Sequence, residues 1–93
     1  MLISTAKIAT TNPQRIMKRL SKHWAHKFSV QLEENSSFIP LSIGNCSLQC
    51  EEELLEVKLT ATAENLDRLQ EVVADHLCRM ASKEELIINW QEK

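Results

Sequence analysis

The sequence contains little of what several protein classes depend on. It has one glycine, and its formal net charge at pH 7 is only -2. A single glycine excludes the glycine-rich loops that hold phosphates, and a weakly negative chain gives no electrostatic reason to expect nucleic acid. No apolar run approaches the length that crosses a membrane, and residues 1–7 lack the continuous apolar core of a signal peptide. We therefore expect a cytoplasmic protein that binds neither nucleic acid nor membrane.

Cysteine is scarce as well. The three cysteines are an odd number in a chain without an export signal, which favours free thiols over a disulfide framework. Cys46 and Cys50 share one face of a predicted strand, and their spacing is wider than that of the Cys-x-x-Cys redox or zinc motif. Cys78 lies off the apolar stripe of its helix. We expect Cys46 and Cys50 to be small core residues, with a histidine-activated thiolate at Cys46 as the alternative.

The beginning of the chain predicts a strand followed by a helix. Residues 2–9 alternate with the period of a strand that buries one face. Asn12 and Pro13 favour a helix start, because an asparagine amide can cap free backbone N–H groups and proline fits the first helical position. The helix runs to about Ala25, and its apolar stripe consists of Ile16, Met17, Leu20 and Trp24.

The middle of the chain predicts further strands. Residues 28–33 and 38–43 alternate on either side of a polar turn, which is typical of a hairpin. At Gly44 the apolar side chains change from odd to even positions, and glycine permits either a bulge or a tight reversal there. We favour the bulge. Glu51-Glu52-Glu53 is a solvated turn, and residues 55–61 form the next strand.

The end of the chain predicts a second helix and a last strand. Thr62 can cap the helix, and its apolar stripe consists of Leu66, Leu69, Val73, His76, Leu77 and Met80. Ser82-Lys83-Glu84-Glu85 resembles a capping box, but the residues that follow alternate like a strand, and we favour the strand.

Length and element order together predict the fold class. With 93 residues, 43% hydrophobic and 26% charged, the chain matches one soluble domain over residues 1–93. The predicted order is β-α-β-β-β-α-β. This order favours an α+β two-layer sandwich, in which two helices cover one face of a largely antiparallel sheet of about five strands.

The densest chemistry lies in Lys22-His23-Trp24-Ala25-His26-Lys27, at the end of the first helix. His23 and His26 are three residues apart on one border of the apolar stripe. His76 points along the stripe of the second helix, where a buried imidazole needs a hydrogen-bond partner or a ligand. If the helices pack side by side, the three imidazoles can gather at one edge.

Two kinds of site are consistent with these residues. His23, His26 and His76, with Lys22, Lys27 and Trp90, could hold an anionic small molecule or a metal-linked ligand. The same three histidines could instead bind Zn²⁺ or Fe²⁺ with an open position for water, although no carboxylate lies within residues 22–27. The simpler interpretation is a core histidine bonded to a carbonyl, with solvated lysines and buried tryptophans.

The sequence favours a non-catalytic binding domain over an enzyme. Its alternatives are a metal-assisted enzyme that uses the same histidines, and a homodimeric interaction module joined through an exposed strand edge. No Ser-His-Asp order or paired-carboxylate signature is present to support another catalytic class.

The chain also resembles a known family. The matching pieces are residues 22–27, Gly44-x-Cys46-x-Leu48, the run at 69–77, and Glu84-Glu85-Leu86 before Trp90. In these it is similar to the small bacterial domain-of-unknown-function family 2218. The resemblance implies a cytoplasmic single domain without an established activity. It also implies a link to iron or siderophore utilisation, because some members lie beside or are fused to siderophore-interacting proteins. The chain departs from the family at residues 80–83, where relatives tend to carry an aromatic residue and an arginine.

Overall fold

The computed structural model describes residues 1–92, in which two helices cover one face of a six-stranded sheet. All neighbouring strands are antiparallel, in the order β2-β3-β4-β5-β1-β6. The predicted α+β class is confirmed. The helices are α1 (Pro13–Trp24) and α2 (Ala63–Met80), and the strands are β1 (Leu2–Ala9), β2 (Gln31–Leu32), β3 (Ser36–Leu41), β4 (Gly44–Glu51), β5 (Leu54–Ala61) and β6 (Gln91–Glu92).

The additional strand arises at Gly44, where the chain reverses. Ser42 and Ile43 form a two-residue turn, and Leu41 pairs with Gly44. Such a turn places an odd-numbered residue opposite an even-numbered one, so the buried positions change parity across the hairpin. The predicted bulge is therefore wrong, and the tight reversal explains the same change of apolar phase.

Two predicted strands are shorter than expected, and their alternation of apolar residues toward the core is correct except at Leu32, which is exposed. In the first, only Gln31 and Leu32 pair with β3, because the chain leaves α1 through a turn in which the Phe28 N–H donates to the Trp24 carbonyl. In the tail, Leu86, Ile88 and Trp90 pack against the core, but only residues 91 and 92 pair with β1. The alternation of apolar and polar residues reflects burial against the core. Hydrogen bonds between strands require, in addition, a neighbouring strand within reach.

Neither predicted side-chain cap forms. The Asn12 amide donates to the Thr11 hydroxyl, and the Thr62 side chain makes no capping bond. The Thr62 carbonyl instead accepts the N–H groups of residues 65 and 66. Ser82 begins no helix: it follows α2 with φ 58°, a left-handed conformation common at helix ends. The sequence therefore predicted correctly where both helices begin. It did not predict which groups accept hydrogen bonds from the free backbone N–H groups there.

The core lies between the helices and the sheet. The predicted stripe of α1 is buried, as are Leu66, Leu69, Val73 and Leu77 of α2. Cys46 and Cys50 are buried beneath them as predicted, and all three cysteines are free thiols. Arg19 reaches the Met80 carbonyl and His23 lies beside His76, so the two helices run antiparallel along their contact. Within residues 1–92, neither helix is long and apolar enough to cross a membrane.

Candidate functional site

A histidine cluster, formed by His23, Trp24 and His76, lies where α1 ends against α2. The ring centroids of His23 and His76 are 5.2 Å apart, and those of Trp24 and His76 are 4.8 Å apart. His23 borders the apolar stripe of α1 and His76 belongs to the stripe of α2, so side-by-side packing brings them together. The structure thus places two of the three predicted histidines in contact across the junction between the helices.

His76 already has a hydrogen-bond partner. Its Nδ1 lies 2.8 Å from the carbonyl oxygen of Val72, one helical turn earlier. Because a carbonyl only accepts, Nδ1 carries the hydrogen, and Nε2 of the neutral ring keeps a lone pair. The simpler interpretation, a histidine bonded to a backbone carbonyl, therefore holds for the Nδ1 atom of His76. The other ring nitrogen, Nε2, can still accept a hydrogen bond.

The remaining predicted residues are more dispersed. His26 and Lys27 lie in the turn after α1, and both are exposed. Trp90 lies just before β6, at the β1 edge of the sheet, and packs against the core. The ring contacts found within residues 1–92 include neither His26 nor Trp90. Lys22 is exposed on α1, where it lines a cleft.

No set of three histidine, cysteine or acidic side chains within residues 1–92 is arranged to hold a metal ion. The predicted three-imidazole site for Zn²⁺ or Fe²⁺ is therefore not formed. The physical reason is the end of α1 at Trp24, because His26 then leaves the helical border on which it would have followed His23.

The cleft is the feature that sequence reasoning missed. Arg15, Lys18, Arg19 and Lys22 project from α1 into a cavity of about 830 Å³, which we call the basic cleft. Their spacing of three, four and seven residues places them on one helical face, opposite the apolar stripe. The signal was therefore present in the sequence, where it indicated only a solvated surface. Other lining residues are Asn12, Gln14, Asn35, Cys50, Glu51 and Glu52.

The cations of the basic cleft have no carboxylate partner. Across residues 1–92, the one ion pair within 4.0 Å joins Arg79 to Asp75 on α2. Arg19 is held in place by donating to the Met80 carbonyl at 3.2 Å and to the Ser82 hydroxyl at 3.0 Å. These acceptors carry no net charge, and the four cations of the cleft outnumber its two lining carboxylates, Glu51 and Glu52, so the cleft keeps an excess of positive charge.

The cysteine thiols are not activated. Burial raises the pKa of the Cys46 thiol to about 12, and Cys46 is 0% exposed. Burial also raises the pKa of Cys50, against the opposing influence of the Lys18 ammonium. A nucleophilic cysteine needs a lowered pKa and access to substrate. The alternative of a reactive thiolate at Cys46 is therefore wrong.

Comparison with known proteins identifies relatives. The model of the family described as "Uncharacterized protein conserved in bacteria (DUF2218)" matches residues 5–91. The NMR structure of PA4090 from Pseudomonas aeruginosa is 41% identical in sequence and has a TM-score of 0.81, over 98% of this chain and 96% of that one. No curated protein shows a significant match. Neither description names a ligand, a metal or an activity.

Proposed function

The chain belongs to the DUF2218 family of uncharacterised proteins conserved in bacteria, and from its site we propose that it is a non-catalytic binding domain for a small anionic ligand. The ligand occupies the basic cleft, which Lys22 lines, and the histidine cluster lies beyond this lining at the end of α1. Arg19 and His23 are one helical turn apart, which makes the cleft and the cluster neighbours along the helix.

The main support for this proposal is the separation of basic residues on α1 from acidic residues in the rest of the chain. Helix α1 has four lysine and arginine residues and no acidic residue, although the whole chain has a net charge of -2. The rest of the chain is therefore acidic, and the positive potential is concentrated at one surface. Guanidinium groups also bind carboxylate or phosphate oxygens in bidentate fashion. The cleft thus supplies both attraction and geometry for an anion.

Two carboxylates on the cleft wall opposite α1 restrict the chemical class of the ligand. Glu51 and Glu52 line the same cleft but do not approach its cations within 4.0 Å. A carboxylate accepts hydrogen bonds and repels anions. The preferred ligand therefore has carboxylate or phosphate groups facing α1, and hydroxyl or amino donors facing the β4–β5 turn.

We expect the double substitution Lys18→Ala/Lys22→Ala to weaken anion binding roughly thirtyfold, since each of the two lost cations removes about 1 kcal/mol of attraction in a solvent-exposed site. Isothermal titration with citrate and with pyrophosphate measures this loss. The matched control is Lys7→Ala/Lys58→Ala, which removes the same charge from the sheet face away from α1. An equal loss in both variants would mean that only net charge attracts the anion.

Titrating citrate with and without Fe³⁺ tests the iron link that the family resemblance implies.

The histidine cluster allows a second test of the site at constant pH. His23 lies one helical turn beyond Arg19, so a ring nitrogen can donate a hydrogen bond to an anion at that end of the cleft. We expect His23→Ala to weaken pyrophosphate binding about threefold to tenfold, whereas His26→Ala, in the exposed turn, should not weaken it. Calorimetric titrations with pyrophosphate separate the two variants. If His26→Ala weakens binding and His23→Ala does not, the histidine cluster has no part in binding.

The homodimer alternative has less support. An added strand needs free backbone donors on a sheet edge, but Pro40 of β3 has no N–H, and both edge strands contain two residues. These features limit pairing at the edge strands themselves, but β6 pairs only with Ser4 and Thr5 of the eight-residue strand β1, so the homodimer stays a prediction.

A further inference from the structure

The sheet face turned away from the helices, here the open face, forms a cleft of about 550 Å³. Its central row crosses five strands in register. Thr5 lies opposite Lys58, Lys58 opposite Ser47, Ser47 opposite Phe38, and Phe38 opposite Gln31. The volume lies within the range of small-molecule sites.

The polar side chains of the open face have no protein partner. Within residues 1–92, no hydrogen bond or ion pair involves the side chains of Thr5, Lys58 or Ser47, or those of the adjacent row Lys7, Glu56, Gln49 and Ser36. On the covered face, by contrast, Ser4 accepts a hydrogen bond from Gln70 at 2.7 Å. The open face therefore presents unused donors and acceptors side by side.

Charge and shape select the occupant. Two lysines, Lys7 and Lys58, share the cleft with two glutamates, Glu33 and Glu56, so the surface is electrically balanced. Phe38 stands in the central row with 37% of its surface exposed, which offers a flat apolar ring among the polar groups. Neutral hydroxyls match such a surface because each one both donates and accepts.

We propose that the open face binds a neutral, polyhydroxylated ligand of monosaccharide or disaccharide size, with a sugar ring against Phe38 and its hydroxyls on the surrounding lysine, glutamate and glutamine side chains. A second copy of the chain fits less well, because two identical concave faces would leave a space between them. The site shares no residue with the basic cleft, so it is independent of the anion-binding function.

The test is a titration of ¹⁵N-labelled protein with glucose, galactose and maltose, followed by amide chemical shifts. We expect at least one sugar to bind with a Kd of about 1 mM or tighter. Its shifts should be confined to the central row and its neighbours. Phe38→Ala should weaken binding roughly tenfold. Leu32→Ala should not, although Leu32 is 40% exposed on the adjoining strand. Gln49→Ala is a second variant that weakens binding without altering the aromatic ring.

Several results would overturn this assignment. They are the absence of shifts with all three sugars, shifts centred on α1, and equal losses in Phe38→Ala and Leu32→Ala. Shifts on the open face that depend on protein concentration alone would assign it to a second copy instead. The amide spectrum of each variant reports directly whether the fold is intact.

Discussion

Replacing Gly44 with alanine is expected to destabilise the fold by about 3–5 kcal/mol, the sum of a strained backbone and an overpacked core. Gly44 has φ +154°, a backbone conformation that residues with a side chain rarely adopt. A Cβ atom there would lie 2.6 Å from the Thr60 carbonyl oxygen and 2.7 Å from Cδ2 of Leu69. The carbonyl belongs to the central β4–β5 ladder, so it cannot move aside without breaking strand pairing.

Urea denaturation followed by circular dichroism measures the loss, with Ser42→Ala as the control in the turn of the same hairpin. Ser42 is exposed and already carries a Cβ, so its truncation should change the unfolding free energy by less than about 0.5 kcal/mol. A loss below about 1 kcal/mol in Gly44→Ala would show that α2 and β5 can shift to admit the methyl group.

The role of Gly44 marks one boundary of what sequence reasoning could predict. A bulge and a two-residue turn both shift the apolar phase by one residue, so the local pattern is the same for either. The difference lies in which residues pair across the sheet. Ile39 opposite Cys46, and Cys46 opposite Leu59, are contacts between segments that the pattern treats separately. The strand count was therefore one too low, although the buried positions were correct.

The candidate site was predictable to the same degree. His23 and His76 approach each other because His23 borders the apolar stripe of α1 and His76 belongs to the stripe of α2, and packing both helices on one sheet brings these positions together. His26 departs because α1 ends at Trp24 with Ala25 still in the right-handed helical region, and neither glycine nor proline marks this end. The basic cleft depends on its four cations lying beyond ion-pair distance of the two lining carboxylates, which is a property of the folded surface and not of the helix sequence.

The two proposed binding surfaces lie apart from the packed core of the molecule. The covered face of the sheet pairs its few polar groups internally, as in the 2.7 Å contact between the Ser21 and Ser37 hydroxyls. Within residues 1–92, the two central rows of the open face make no such bond through their polar side chains, and neither do Lys18 and Lys22 on the outer face of α1, where Arg19 alone of the cleft cations donates to Met80 and Ser82. Because the core does not depend on these polar groups, substitutions at Lys18, Lys22 or Phe38 should alter binding with little effect on stability.

The fold should also lose stability in alkaline solution, because Cys46 is buried as a neutral thiol. Its pKa is raised from 9.0 to about 12 by burial. Below pH 9 the thiol is neutral in both the folded and the unfolded chain, and the full contribution to stability is present. Between pH 9 and 12 the unfolded chain ionises this thiol and the folded chain does not. The unfolding free energy therefore falls by about 1.4 kcal/mol per pH unit, or about 4 kcal/mol in all.

Urea denaturation under reducing conditions at about pH 8.5 and about pH 10.5 isolates this contribution, which should reach about 2 kcal/mol at the higher value. Cys46→Ala creates a small cavity and should be less stable than the unmodified protein at the lower pH. Because it has no thiol to ionise, the difference between the two proteins should shrink or reverse at the higher pH.

Cys78→Ala, at an exposed position, should retain the full alkaline loss. The chain has no tyrosine, so no phenol ionises in this range, and lysine ionisation is common to all three proteins. A stability difference between Cys46→Ala and the unmodified protein that stays constant across the two pH values would mean that the Cys46 thiolate is accommodated in the folded core.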